Sequence, residues 1–316
     1  MAGRSLRELR ADALDRLARA GVDNPANDVA WLLADAVGVE RKLLVTAAGL
    51  TVEQQAVFEA SLRRRESREP LQHILGDTGF RYLTLRVGPG VFVPRPETEV
   101  LVEHALESIR MLRSHDPDRR ITVVDLCSGS GAIAIAIATE VRDCDVFAVE
   151  VDRAAADWAA ANIADYREQI STAGSTLALI RTAVQDAVSQ NSPLLAHRRN
   201  VDVITCNPPY IPDAAIPRDR EVREFDPAIA LYGGPDGLDV VRQVAGVAAD
   251  LLRSGGWLFV EHGDEQGERS GDLGVPALLR VQGDFEDVQD HRDLSDRPRV
   301  SAARRKLGIA VPGSLA

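Results

Sequence analysis

Ile121-Thr122-Val123-Val124-Asp125-Leu126-Cys127-Ser128-Gly129-Ser130-Gly131 reads as a buried strand that runs into a glycine turn. The next residues, Ala132-Ile133-Ala134-Ile135-Ala136-Ile137-Ala138, alternate with period two, which taken alone indicates a second strand. Context decides otherwise. The run follows a strand and a turn, and half of it is Ala, the best helix former, so a helix buried on a sheet is expected. In a strand–turn–helix unit the glycines let the backbone approach a ligand, and the helix start offers unpaired N–H groups. Such a loop is weak evidence alone, but Val146-Phe147-Ala148-Val149-Glu150 is a second strand that ends in a carboxylate 19 residues after Gly131. An acid placed there accepts hydrogen bonds from both hydroxyls of a ribose in doubly wound folds.

Outward from this unit, 121–126, 145–149, 177–181, 201–206 and 257–261 read as strands with helical segments between most of them. That pattern implies a parallel sheet with helices on both faces, and 285–291 with 299–303 would add an antiparallel pair. The front of the chain differs. Ser5-Leu6-Arg7-Glu8 has the form of a capping box, Asn24-Pro25 starts a second helix that ends at Gly38, and Thr51-x-x-Gln54 starts a third. The third runs into Arg63-Arg64-Arg65, read as a solvated helix end whose cations complement the dipole. Short β-like runs at 73–75, 80–82 and 83–87, broken by glycines, suggest a hairpin connector. The expected domains are a helical domain over 1–70, a connector over 71–96 and an α/β domain over 97–316.

Composition narrows the class. The 316 residues include 45% hydrophobic and 27% charged, a globular balance, and three cysteines without a C-x-x-C pair fit neither a disulfide scaffold nor a zinc site. The apolar runs reach only about ten residues, short of the ~20 that cross a bilayer, and no apolar leader follows Met1. A cytoplasmic protein without a membrane partner is expected. The net charge of −11 argues against a partner held mainly through phosphates. Residues 1–90 carry 13 Lys/Arg and 12 Asp/Glu, a net +1, so the acidity (−12) lies in the remainder.

Two cofactors suit the glycine loop. Gly129-x-Gly131-x-x-Ala134 satisfies the dinucleotide fingerprint of NAD enzymes. Asp125, however, would repel a pyrophosphate and suit a cation, and S-adenosylmethionine carries an ammonium and a sulfonium and no phosphate. The fourth strand, Val201 to Cys206, runs directly into Asn207-Pro208-Pro209-Tyr210. Two prolines cannot extend a parallel sheet, so the backbone must leave it there, at the strand ends where such folds bind ligands. Asn207 offers an acceptor oxygen, Pro208 a carbonyl and Tyr210 a flat ring. Together they suit a planar N–H₂ group, with two acceptors for its two hydrogens.

The pattern Asp-Leu-x-x-Gly-x-Gly-Ala resembles the first motif of class I methyltransferases. Asn-Pro-Pro-Tyr after such a motif occurs in adenine-N6 methyltransferases of nucleic acid and in protein-glutamine methyltransferases. Val93-Pro94-Arg95-Pro96-Glu97-Thr98-Glu99, Glu224-Phe225-Asp226-Pro227, the run Ala230 to Leu238, and Ser254-Gly255-Gly256-Trp257 to Glu261-His262-Gly263 favour the second class. They are similar to the peptide chain release factor glutamine methyltransferases, the PrmC (HemK) family, over nearly the whole chain. The resemblance implies a Rossmann-like, mostly parallel seven-stranded sheet and a helical N-terminal domain that helps to grip the release factor. It implies N5 methylation of the glutamine in a Gly-Gly-Gln loop, in the service of translation termination; a monomer without direct nucleic-acid contact is expected. By position, Asp125, Cys127, Ser128, Gly129, Ser130, Gly131, Glu150, Asp186, Ala187 and Asn207 would contact S-adenosylmethionine. Asn207, Pro208, Pro209 and Tyr210 would seat the glutamine amide, with Asn207, Pro208 and Tyr210 in the catalytic role and no metal. Cys127 stands where the family more usually has glycine. Arg95 and Glu97 are read equally as hinge-locking or functional, Phe92 as an ordinary core residue, and a late start is expected for the helix near Pro276.

Overall fold

The computed structural model describes residues 5–46 and 49–307; Met1–Arg4, which the reading of the N-terminus includes, lie outside the described residues. In chain order the main elements are α1 (Leu6–Arg19), α2 (Pro25–Val37), α3 (Val52–Glu66), α4 (Leu71–Leu75), β1 (Asp77–Phe80), β2 (Leu83–Arg86), α5 (Thr98–His115), β3 (Ile121–Leu126) and α6 (Ala132–Glu140). They continue as β4 (Cys144–Glu150), α7 (Arg153–Asp165), α8 (Arg167–Thr172), β5 (Thr176–Arg181), β6 (Val201–Cys206), α9 (Arg220–Phe225), α10 (Ala228–Leu231), α11 (Asp239–Leu251) and β7 (Leu252–Glu261). The last are α12 (Val275–Gln282), β8 (Phe285–Arg292) and β9 (Pro298–Arg305). None of the described helices is long and apolar enough to cross a membrane.

The chain forms two compact units. One takes the helices up to Asp77 together with 87–89 and 217–226. Its helices start as their capping residues dictate: Ser5 Oγ accepts from the Glu8 amide and the Glu8 carboxylate accepts from the Ser5 amide, and Thr51 and Gln54 repeat the reciprocal pair. Leu17, Val29, Leu32, Leu33, Phe58 and Leu62 form its core. The run 73–75 is helical, contrary to its β-like appearance. Pro70 precedes the turn and Gly76, at φ 85, stops it, and three residues are too few for alternation to outweigh those signals.

The basic triplet is likewise not all solvated. Arg63 and Arg64 are exposed, but Arg65 is buried. Its Nε donates to Asp28 at 2.8 Å and its Nη2 to Glu221 at 2.9 Å. Arg68 donates to both oxygens of Glu221, at 2.8 and 2.6 Å. Burial works to raise the Glu221 pKa, but these arginines outweigh it and hold the carboxyl down at about 2. This network is why 217–226, far along the chain, groups with the helices.

The second unit holds the seven-stranded sheet, in the order β5-β4-β3-β6-β7-β9-β8. The strands from β5 to β7 are parallel, and β9 pairs antiparallel with both β7 and β8. The central strand β3 is buried throughout because both faces of the sheet are covered. One face packs Ile121, Val123 and Val146 against Leu101, Ala105 and Ile133 of α5 and α6, and the other packs Val124, Leu126 and Ile204 against Val241 and Val244 of α11 and Leu279 of α12. The period-two run 132–138 is helical as expected, with all seven residues buried. After a short 3₁₀ segment, α12 begins at Val275, as late as the composition there requires.

Arg65→Ala is expected to destabilise the helical unit by about 3–5 kcal/mol, because it leaves the buried Asp28 carboxylate unpaired. Hydrogen exchange of the α2 and α3 amides measures this, and unchanged protection would contradict it. Since the Glu221 carboxyl is depressed, its stabilisation is present above about pH 4.5 and lost as the pH falls toward about 2.

Candidate active site

Strand register places the expected site residues in one row. Leu126 of β3 is level with Val149 of β4 and Cys206 of β6, and Cys206 is level with Val260 of β7. The next residue on each strand is therefore Cys127, Glu150, Asn207 and Glu261, side by side at the carboxyl edge of the sheet. Open α/β sheets bind ligands at this edge.

On the β3 side, Cys127, Gly129 and Gly131 have φ of 56°, 56° and 83°, so the loop turns sharply before α6. Cys127 occupies a left-handed conformation where glycine is usual, which accounts for the residue expected by resemblance. Ser128 and Ser130 are buried, and Asn162 Nδ2 donates to the Ser130 carbonyl at 2.9 Å. Glu150 Oε2 accepts from the Gly129 amide and Oε1 from the Asp152 amide, both at 2.8 Å. Each oxygen keeps a second lone pair for a ligand hydroxyl. Burial raises the Glu150 pKa.

Asp125 is fully buried, and its oxygens accept from the hydroxyls of Thr205 at 2.8 Å and Ser128 at 2.6 Å. Burial pushes its carboxyl up to about 7, and the nearby charge of Glu150 pushes in the same direction. Asp202 on β6 provides a comparison. It is equally buried, but Arg119 and Arg253 donate to it at 2.7 and 2.5 Å. The structural acid has its cations, whereas Asp125 has two hydroxyls and a like charge. A buried carboxylate so arranged suits a cationic ligand, and the loop fits the ammonium of S-adenosylmethionine far better than a pyrophosphate. Asp186 is exposed on a 3₁₀ turn that follows β5, next to buried Ala187.

On the β6 side, Asn207 to Tyr210 leaves the sheet as a rigid turn. Pro208 is buried, and Asn207, Pro209 and Tyr210 are half-buried. Asn207 Nδ2 donates to Thr98 Oγ1 at 3.3 Å. Neither Asn207 Oδ1 nor the Pro208 carbonyl accepts a hydrogen bond from a described residue. The turn is clamped from outside. Ile211 donates to the Leu231 carbonyl at 2.8 Å and accepts from the Gly233 amide at 2.9 Å, and Gln266 Nε2 donates to the Tyr210 carbonyl at 3.0 Å. A Cβ on Gly237 would lie 2.2 Å from that carbonyl, and φ there is +76. The glycines after Tyr232 thus permit a close backbone approach. Burial raises the Tyr210 phenol pKa, and the charge of Glu261 adds to this.

Residue types alone did not single out Thr98 and Glu261. Thr98 lies in the quoted Pro-Arg-Pro-Glu-Thr-Glu segment, and its amide donates to the Arg95 carbonyl at 3.1 Å as α5 begins. Arg95 lies over the ring of Phe92, 5.1 Å from its centroid, and Glu97 is exposed. The signal for Thr98 was its place in that segment.

A family model described as the PrmC N-terminal domain matches residues 8–76, and one described as a methyltransferase small domain matches 96–219. A release factor glutamine methyltransferase of Streptomyces coelicolor is 42% identical over 94% of this chain and 97% of its own. Its counterparts in Bifidobacterium longum and Mycolicibacterium smegmatis are 41% and 39% identical over 91% and 92% of this chain and 95% and 94% of theirs. Among solved structures, the hMettl16 catalytic domain in complex with an RNA hairpin aligns with a TM-score of 0.50 at 16% identity, over 75% of this chain and 81% of that one, and supports the fold alone.

Gly237→Ala is expected to cost at least about 1–3 kcal/mol, from the left-handed strain and the clash with the turn. In contrast, a Cβ on Gly246 of α11 meets nothing within 4 Å, so Gly246→Ala is expected to stabilise by about 0.5–1 kcal/mol. Denaturant melts of the two variants check this, and equal effects would contradict it.

Proposed function

The chain belongs to the release factor glutamine methyltransferase family, and we propose that it methylates the side-chain amide nitrogen (N5) of the glutamine in the Gly-Gly-Gln loop of a release factor, using S-adenosylmethionine. The observation that carries this is a pair of acceptors, Asn207 Oδ1 and the Pro208 carbonyl, that accept no hydrogen bond among the described residues and lie one strand away from the glycine loop. S-adenosylmethionine supplies, when bound, a methyl group on a positively charged sulfur. The loop Cys127 to Gly131 and Asp125 hold it from β3, Glu150 accepts its ribose hydroxyls, and Asp186 and Ala187 flank its adenine.

The remaining work falls to the turn. An amide nitrogen is a poor nucleophile because its lone pair is delocalised. Asn207 Oδ1 and the Pro208 carbonyl accept hydrogen bonds from its two N–H groups and favour a more pyramidal nitrogen, with Pro209 and Tyr210 shaping the slot around its plane. The same acceptors stabilise the positive charge that develops on nitrogen, which is selective stabilisation of the transition state. Two prolines keep the acceptors in place, and in-line alignment of the reactants contributes up to about 7–11 kcal/mol. The nitrogen's surplus proton leaves to solvent or a nearby acceptor.

In this reading 1–70 helps to grip the release factor, 71–96 connects, and 97–316 is catalytic. The enzyme acts as a monomer in the cytoplasm without direct nucleic-acid contact. The acidity of the body, −12 beyond residue 90, supports a protein acceptor over a phosphate backbone.

Labelled S-adenosylmethionine offered with a release factor or with DNA is expected to label only the release factor; label on DNA alone would refute the proposal. Asn207→Ala is expected to abolish transfer while cofactor affinity stays within about tenfold, and retained turnover would remove the proposed role of the turn. Because the free Asp125 carboxyl sits at about 7, a cation binds best once it is ionised. Cofactor affinity is therefore expected to weaken by up to about tenfold per pH unit below 7, and Asp125→Asn to flatten that dependence. Calorimetry at pH 5.5 and 7.5 decides it, with equal affinities as the contrary result.

A further inference from the structure

Glu261 ends β7 beside Asn207, and no step described so far uses it. It is 2% exposed, and its Oε2 accepts no hydrogen bond from a described residue. Thr98 and Asn207 lie close enough to its carboxyl group to favour its ionised form. Asn207 Nδ2 in turn donates to Thr98 Oγ1 at 3.3 Å. We propose that Glu261 is a positioning residue: its carboxylate, acting with Thr98, holds the Asn207 amide with Nδ2 turned inward and Oδ1 presented to the substrate nitrogen. The inference rests on the reading of the turn as the amide site.

An ionised carboxylate only accepts, so Thr98 must point its hydroxyl hydrogen at Glu261 and turn a lone pair toward Asn207. Against that lone pair and the carboxylate, the Asn207 amide places its N–H₂ group. Oδ1 is then left facing the substrate. A protonated Glu261 donates instead. Thr98 is then free to aim its hydrogen at Asn207, whose Oδ1 turns inward and whose N–H₂ meets the substrate's own N–H₂, donor against donor. One proton on Glu261 thus reverses the polarity of a three-residue chain.

The charges around Glu261 allow this near neutral pH. Burial raises its carboxyl to about 7, Arg299 on β9 pulls it down and Glu97 at the start of α5 pushes it up, while Thr98 and Asn207 favour the ionised form. Tyr210, on the turn, is neutral in this range because its own pKa is raised.

The test is kcat for methyl transfer to a release factor, at saturating S-adenosylmethionine so that Asp125 does not enter, from pH 6 to pH 8. The wild-type rate is expected to rise about tenfold, as for one group ionising near 7. Glu261→Gln is expected to give a flat profile near the wild-type level at pH 6, with cofactor affinity within about twofold. A wild-type profile in Glu261→Gln, with Asn207→Ala inactive, would overturn the role of Glu261 and leave the turn as the amide site. Turnover retained in Asn207→Ala would instead overturn the reading of the turn. Should Glu261→Gln not fold, Thr98→Val decides in its place: a flat profile supports the inference, and an unchanged one overturns it.

Discussion

Pro208 and Pro209 have no N–H to give a neighbouring strand, and that constraint organises the site. Where β6 ends, between β3 and β7, the chain must leave the sheet, and fixed φ angles make the departure rigid. Such a turn cannot be held by a β-ladder, so other groups hold it. The backbone of 231–234 supplies hydrogen bonds, Gln266 caps the Tyr210 carbonyl, and Gly237 lets the segment approach. Because β6 is central, the turn emerges between the glycine loop and Glu261. The chain then enters the helical unit at Pro217, where Glu221 is tied to Arg65 and Arg68.

Charge divides the labour along the sheet. Asp202 and Asp125 are both buried acids of the central strands, but arginines satisfy the first and hydroxyls bind the second. An unneutralised buried carboxylate is costly in an empty site and useful in one that takes a cation. The acidity of the body thus includes a buried carboxylate, Asp125, whose surroundings suit a cationic ligand.

The sequence was most legible where chemistry and local geometry coincide. Asp125, the glycine turn, Glu150 and the Asn207–Tyr210 turn could be placed because each ends a strand. The helix at 132–138 could be placed because its neighbours outweighed its own alternation. Long-range pairings were hidden. Thr98 and Asn207 are 109 residues apart, and Arg65 and Glu221 are 156 apart. No periodicity links such pairs. Arg65 therefore looked like part of a solvated basic triplet, and Glu261 like the last residue of a strand. The helix at 71–75 is hidden for the opposite reason: 73–75 has the look of a short β-like run, while the helical signal lies in the proline and glycine that bound it.

In the proposed function, two acceptors on a rigid turn, Asn207 Oδ1 and the Pro208 carbonyl, hold the hydrogens of a substrate amide. The most direct measurement is a crystal structure of this protein with S-adenosylhomocysteine and a Gly-Gly-Gln peptide. The glutamine nitrogen is expected within hydrogen-bond reach, about 2.7–3.2 Å, of both acceptors, with Asn207 Nδ2 on Thr98. A glutamine amide bound elsewhere, or one whose nitrogen faces neither oxygen, would contradict it.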